Sequence, residues 1–181
     1  MSVTAKKLTW DDIKDWPEYH GRTEIVDGEL VMSPLPSTQH QMICLRLGRL
    51  ISPFVEQRDL GKFLAIPLHV ILAEHVHYEP DLCFISKARL RLLEDPVVQG
   101  PPDLVIEVIS ESNRTHDTVV KFRDYARYGV EEYWLVDSRE EHIRTFALEG
   151  GKYVPLGIAG RGEHVATRLF NGLKLDPAQV F

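Results

Sequence analysis

The period of the apolar positions changes several times along the chain, and each change marks an element boundary. Thr9-Trp10-Asp11-Asp12 predicts a helix start with Thr9 as its cap, and Pro17 ends that short helix. Arg22 to Val26 and Glu29 to Met32 are β-rich runs on either side of Asp27-Gly28, which predicts a hairpin. From Ser37 the spacing turns helical. Ile43, Leu47, Leu50, Ile51 and Phe54 predict a long helix with a kink or end near Pro53. Gly61 begins a return to strands. Phe63 to Leu72 predicts one strand, with Pro67 marking a sheet edge or a bulge. Leu82 to Ile85 predicts a short buried strand, and 86–100 a charged loop holding one helical turn.

The segment Pro101-Pro102-Asp103-Leu104-Val105-Ile106-Glu107-Val108-Ile109-Ser110 has a different character. Its branched apolar residues predict a strand buried on both faces, with one carboxylate inside it. Such a glutamate is costly unless a metal, a base or a hydrogen-bond network receives it. Thr115 or Asp117 caps the next predicted helix, which runs to about Tyr128. Val119, Phe122 and Ala126 form its apolar face, with Tyr125 beside them and Gly129 as the terminal glycine. Glu132 to Val136 is a further strand, so the unit reads as β-α-β with a right-handed crossover. Ile143 to Leu148 and Lys152 to Leu156 predict a hairpin around Gly150-Gly151, and 169–181 predicts a tail covering an open face. The expected fold is one α/β domain over 1–181, a mixed sheet flanked by helices.

Composition narrows the class. The chain has 181 residues, 44% hydrophobic and 27% charged, which is ordinary for a folded protein. A net charge of −6 argues against a broad surface coating nucleic acid, yet leaves room for a local basic groove. An acidic metal centre would itself add to that balance. Cys44 and Cys83 lie in apolar surroundings and read as core residues, neither a disulfide framework nor a zinc site. No signal peptide and no membrane span is evident, so the cytoplasm is the expected location.

Four polar groups stand out in order: Glu24 in the hairpin, Asp81 before one strand, Glu107 inside another, and Lys121 on the helix that follows. Carboxylates on neighbouring strands can converge on one hard cation. Mg²⁺ suits such a site because it takes one or two carboxylates and keeps waters for substrate phosphate. A lysine beside it orients the attacking water or neutralises charge growing on the phosphate. Each residue also has a plainer reading. Asp81 after Pro80 is a turn residue, Glu107 a buried ion-pair partner of Lys121, Glu24 an exposed hairpin residue, and Lys121 a solvated side chain. His40 reads equally as a packing or capping residue and as a ligand. His69, His75 and His77 lack the helical pairing of a zinc site and read as sheet-face or loop residues. Ser110 and Ser112 with His116 lack the Gly-x-Ser-x-Gly elbow of a serine hydrolase. Tyr133 and Trp134 read as core. No glycine-rich phosphate loop is present.

The ordered set resembles the Uma family of restriction-type endonucleases, within the PD-(D/E)XK nuclease superfamily. The resemblance covers nearly the whole chain. It rests on Glu24-Ile25-Val26-Asp27-Gly28-Glu29-Leu30-Val31, on Ser33-Pro34 with His40 downstream, and on Pro80-Asp81-Leu82. It continues through Asp103 to Ser110, Lys121, Tyr125-Ala126, Gly129-Val130 and Glu132 to Asp137. It implies a restriction-endonuclease-like fold and a Mg²⁺-dependent endonuclease acting on DNA, with Mn²⁺ as a substitute ion. It implies that Asp81, Glu107 and the carbonyl of Val108 are metal ligands, with Glu24 as the extra N-terminal acidic residue. The lysine expected two residues after the glutamate is absent, and Ile109 stands there. In similar families the following helix supplies it, which makes Lys121 the candidate. A homodimer is implied as well, since two sites serve two strands. Two other readings remain open: a non-catalytic nucleic-acid- or protein-binding module on the same fold, and a nuclease acting on RNA.

Overall fold

The computed structural model describes residues 6–16, 21–65, 68–111 and 113–181. Asp27 and Gly28 both take positive φ, 51° and 88°. That is the backbone of a tight hairpin turn, and it joins β1 (Gly21–Val26) to β2 (Glu29–Pro34) as the pattern predicts. Before it, Asp12 accepts from the Thr9 amide at 3.0 Å and the Thr9 hydroxyl at 2.9 Å, fixing the start of α1 (Trp10–Ile13). Pro17, expected to end this helix, lies outside the described residues.

Helix α2 (Thr38–Gln57) starts where Ser37 Oγ accepts from the His40 amide at 3.2 Å. Ile43, Leu47, Ile51 and Val55 are four residues apart and form its buried row. The helix does not end at Pro53. That residue is exposed, as is Arg49 one turn earlier, so the carbonyl freed by the missing N–H meets water. A second correction concerns 63–72, expected to be one strand. It is two, β3 (Gly61–Leu64) and β4 (His69–Ala73), and they belong to different sheets. Pro67 falls between them, outside the described residues. The segment 86–100 is also more regular than expected. It holds a 3₁₀ helix (Lys87–Leu92) and two short strands, β7 (Leu93–Glu94) and β8 (Val97–Gln99), because Val97 and Val98 are buried beside β4.

The remaining strands are β5 (Val76–Tyr78), β6 (Leu82–Ser86), β9 (Leu104–Ile109), β10 (Glu132–Asp137), β11 (His142–Glu149) and β12 (Lys152–Ala159). One six-stranded sheet runs β2-β1-β5-β4-β8-β7 and the other β12-β11-β10-β9-β6-β3. Both are mixed: β4 pairs parallel with β8, and β9 parallel with β10. The expected single sheet is thus two, and the N-terminal hairpin belongs to the first. A wide helical turn (His116–Lys121) leads into α3 (Phe122–Tyr128), which links β9 to β10 and ends at Gly129 with φ 90°.

Every residue of β9 is buried, and its alternation sorts the interior. Leu104, Ile106 and Val108 pack with Ile43, Leu47 and Ile51 of α2. Val105 and Ile109 pack with Tyr125 of α3 and with Val76 and Tyr78 of the first sheet. Glu107 has the parity of the second group. The tail contributes Phe170, Leu175 and Val180 to the α2 side of the core, as expected of a covering segment. It is held by a buried carboxylate: Glu132 accepts from Trp134 Nε1 at 3.0 Å, Thr167 Oγ1 at 2.9 Å, the Leu169 amide at 3.0 Å and the Arg168 amide. Tyr133 and Trp134 are fully buried. No helix among the described residues is long and apolar enough to cross a membrane.

Candidate functional site

Strand parity places the first two groups. Arg22 and Glu24 are two residues apart on β1, so both side chains leave the same face. Asp81 sits just before β6, and Glu107 lies on the neighbouring β9. The ladder between these strands is paired as far as Leu82 and Ile106. Beyond it, Asp81 Oδ2 accepts from the Val108 amide at 2.6 Å. Amide and carbonyl of one strand residue share an edge, so the Val108 carbonyl faces the Asp81 side too. The fourth group comes from the wide turn before α3, which points Asp117 and Lys121 inward together.

These side chains form one buried cluster. Lys121 Nζ lies 2.8 Å from Glu24 Oε1, 2.9 Å from Glu107 Oε1 and 3.7 Å from Asp117 Oδ1. Tyr125 Oη donates to Glu107 Oε1 at 3.2 Å. Glu24 accepts further from the Glu79 amide at 3.1 Å and from His116 Nε2 at 2.7 Å. His40 Nε2 lies 2.7 Å from Asp81 Oδ1, and the Arg22 guanidinium donates to the same oxygen. The other end of that guanidinium is 3.8 Å from Glu107 Oε2. Glu107 Oε2 itself is buried with no hydrogen-bond partner. Buried acceptors are rarely left so.

The electrostatics divide the carboxylates. Burial opposes ionisation of Asp81, but the His40 hydrogen bond and the Arg22 charge outweigh it and bring its pKa to about 2. Burial also opposes ionisation of Glu24, where Lys121 and His116 prevail and the result is again about 2. Glu107 goes the other way. Burial pushes it well above the usual carboxylate range, Lys121 pulls against this, and the neighbouring Asp81 and Asp117 add to the rise. Asp117 is likewise pushed up to about 6, chiefly by burial. For Lys121 burial favours the neutral amine, yet Glu107, Glu24 and Asp117 overcome it and hold the ammonium form.

The cluster meets solvent through a groove of about 730 Å³ along α2, lined among others by Arg22, His40, Cys44, Arg49, Pro80 and Asp81. A smaller hollow, with Ser37 and Asn113 in its wall, shares Arg22 and His40. Glu107 lines neither, whereas Arg22, 3.8 Å from its Oε2, lines both. Cys44, expected in the core, is half-buried in the groove wall, its thiol pushed up by burial and by Asp81. Cys83 is buried.

A divalent ion fits this donor set. The ligands on offer are the oxygens of Asp81 and Glu107 and the Val108 carbonyl, all hard, and one of them, Glu107 Oε2, has no other partner. Two groups of three among the described residues bring candidate ligand atoms within 4.8 Å of one another: His40, Cys44 and Asp81, and His69, His77 and Glu79. The second lies on the first sheet against the Trp10 ring, 4.4 Å from His69 between centroids. Burial and the adjacent His69 lower His77 to about 3, a neutral sheet-face histidine.

Glu24, Asp81, Glu107 and Lys121 are brought together, from four separate elements. Sequence reasoning passed over Arg22, weighed His116 only beside Ser110 and Ser112, and took Asp117 only as a helix cap. Arg22 had a usable signal, its two-residue spacing from Glu24 in a strand. His116 and Asp117 had none beyond lying one turn before Lys121.

Comparison with known proteins adds the following. The family model Uma2, described as "Putative restriction endonuclease", matches residues 10–178. No curated protein matches the chain. A solved structure described as "a putative nuclease belonging to DUF820 from Anabaena variabilis ATCC 29413" superposes with a TM-score of 0.79 at 18% identity, covering 96% of this chain and 97% of that one. At that identity the likeness concerns the fold.

Proposed function

The chain belongs to the Uma2 restriction endonuclease family, matched over residues 10–178, and from that premise we propose that it is a Mg²⁺-dependent endonuclease hydrolysing phosphodiester bonds in DNA. Mn²⁺ serves in place of Mg²⁺. The observation that carries this reading is the buried meeting of Glu24, Asp81, Glu107 and Lys121 beside a groove, with one glutamate oxygen left without a partner. Burying that much charge is expensive, and apolar residues of similar volume would hold a purely structural scaffold at least as well.

In this reading Asp81, Glu107 and the Val108 carbonyl hold the ion. Bound there, such an ion would supply Lewis-acid polarisation of the phosphoryl group and a water acidic enough to attack it. Lys121 stays protonated and fixes both Glu24 and Glu107. Its remaining ammonium hydrogen orients the attacking water toward phosphorus. Glu24 aids the site directly or through a water, and His116 and the Glu79 amide hold it in place. His40 restrains Asp81 from the α2 side. The groove admits the nucleic-acid backbone, with Arg49 on its wall. A homodimer of this domain, 1–181, presents two such sites to two strands.

The test is cleavage of supercoiled plasmid with Mg²⁺ or Mn²⁺, by wild type, Glu107→Gln and Lys121→Met, with a single-stranded RNA in parallel. Nicking by wild type alone is expected. Equal nicking by all three removes the site assignment, and cleavage confined to RNA changes the substrate.

A further inference from the structure

Among the described residues, Arg22 is the one Lys or Arg side chain that touches both proposed side-chain ligands of the ion, and it lines the groove. Its guanidinium donates to Asp81 Oδ1 and reaches within 3.8 Å of Glu107 Oε2. The two carboxylates are therefore bridged by an arginine. Arg22 is also only 16% exposed by side chain and lines both the groove and the smaller hollow. The bridge is incomplete. A guanidinium normally pairs with carboxylate oxygens in a close bidentate fork, yet here Glu107 Oε2 is left without a hydrogen bond. The position thus holds positive charge but does not saturate its ligands. A divalent ion accepts several hard oxygen ligands at once and would saturate them better.

We propose that Arg22 is a displaceable internal cation: it holds the ion position between Asp81 and Glu107 in the metal-free protein, and turns along the groove onto the substrate phosphate when the ion enters. This rests on the proposed metal site and adds to it. Four acidic side chains (Glu24, Asp81, Glu107 and Asp117) face two permanent cations, Arg22 and Lys121, in this interior. Lys121 has only 2% of its side chain exposed and lines neither hollow. Arg22 sits at the groove, so it is the cation that can leave. Its planar fork then suits direct pairing with a phosphate, which Lys121, held by Glu24 and Glu107, meets only through the attacking water. Entry of the ion and binding of the phosphate become one exchange, in which neither Asp81 nor Glu107 is ever without a positive neighbour.

The experiment compares Mn²⁺ binding, by calorimetry and by the electron paramagnetic resonance of free Mn²⁺, in wild type, Arg22→Gln, Arg22→Lys and Glu107→Gln. Plasmid nicking is then measured at saturating Mn²⁺, and melting curves in chelator and in Mn²⁺ show which variants are folded. Arg22→Gln is expected to bind Mn²⁺ about tenfold or more tightly than wild type, since no side chain must be displaced, and to nick about a hundredfold more slowly. Arg22→Lys is expected to fall between on both measures, and it carries the comparison if the glutamine variant folds only with Mn²⁺. Equal or weaker Mn²⁺ binding by both Arg22 variants overturns the exchange, while wild-type binding that Glu107→Gln abolishes leaves the metal site standing. Undiminished nicking by the tighter-binding variants overturns the phosphate role. No Mn²⁺ binding by any of the four proteins overturns the metal site, and the exchange with it.

Discussion

Lys121 Nζ lies 2.9 Å from Glu107 Oε1, with 2% and 1% of the two side chains exposed. The same ammonium is 2.8 Å from Glu24 Oε1. One cation from a helical turn thus ties a central strand of one sheet to the hairpin of the other. Removing it leaves the buried Glu24 carboxylate without its ammonium partner, and leaves Glu107 with Arg22, at 3.8 Å, as its neighbouring cation. Lys121→Met is expected to cost about 3–5 kcal/mol in urea unfolding in the presence of chelator. A divalent ion restores part of the lost positive charge, so Mn²⁺ is expected to raise the melting temperature of this variant more than that of wild type. An equal rise in both proteins would show that the ion does not enter this cluster.

Glu107 gives the opposite result. Burial and the nearby Asp81 and Asp117 already favour its neutral form in the fold. Glu107→Gln keeps the shape and supplies a neutral group, and Lys121 retains Glu24. Stability is expected to stay within about 1 kcal/mol of wild type by urea titration. Metal-induced stabilisation and nicking are both expected to disappear. A large loss of stability without metal would mark Glu107 as a structural ion-pair member.

His77, on β5 beside the cluster, supplies a pH dependence of its own. Its folded pKa, lowered to about 3 by burial and by His69, lies below the ordinary value of 6.5. Between those values the unfolded chain binds a proton that the folded chain refuses. Stability is therefore lost as pH falls through 6.5, and the loss continues toward 3. His77→Phe, which preserves a ring against Trp10, is expected to remove a slope of up to about 1.4 kcal/mol per pH unit from the unfolding curve. Parallel curves for the two proteins would contradict a neutral His77.

Glu132 holds the C-terminal segment through three donors, from Thr167, Arg168 and Leu169, accepts a fourth bond from Trp134 on its own strand, and has no cation among them. Glu132→Ala strips the acceptor from two amides, an indole and a hydroxyl at once. A loss of at least about 3 kcal/mol is expected, together with faster proteolysis within 160–170. Unchanged protease resistance would show that Phe170, Leu175 and Val180 hold the tail alone.

How far the fold was legible depended on whether the information was local. The β1–β2 turn is local, and Asp27-Gly28 announced it. The burial of β9 is local too, since an unbroken apolar run has nowhere else to go. Pro53 misled because proline chemistry was read without knowing which face of α2 meets water. The split between β3 and β4 was hidden for a related reason. Alternating apolar residues do not say which sheet receives them, and 63–72 changes sheet midway. The site shows the same division. Glu107 was conspicuous as a charge in an apolar strand, and Asp81 and Lys121 followed through family resemblance. Arg22 was only half legible: its two-residue spacing from Glu24 puts it on the same strand face, but the carboxylates it meets, Asp81 and Glu107, come from distant parts of the chain.

The strict alternation of β9 makes Glu107 an even-or-odd matter. One residue inserted between Leu104 and Glu107 would turn the carboxylate into the α2 layer and a branched side chain toward Lys121, spoiling core and chemistry in one event. Two inserted residues would return it to its own side. Length changes in this segment are thus filtered by arithmetic before any question of composition arises, and the neighbouring loops, not the strand, are where the chain is free to grow.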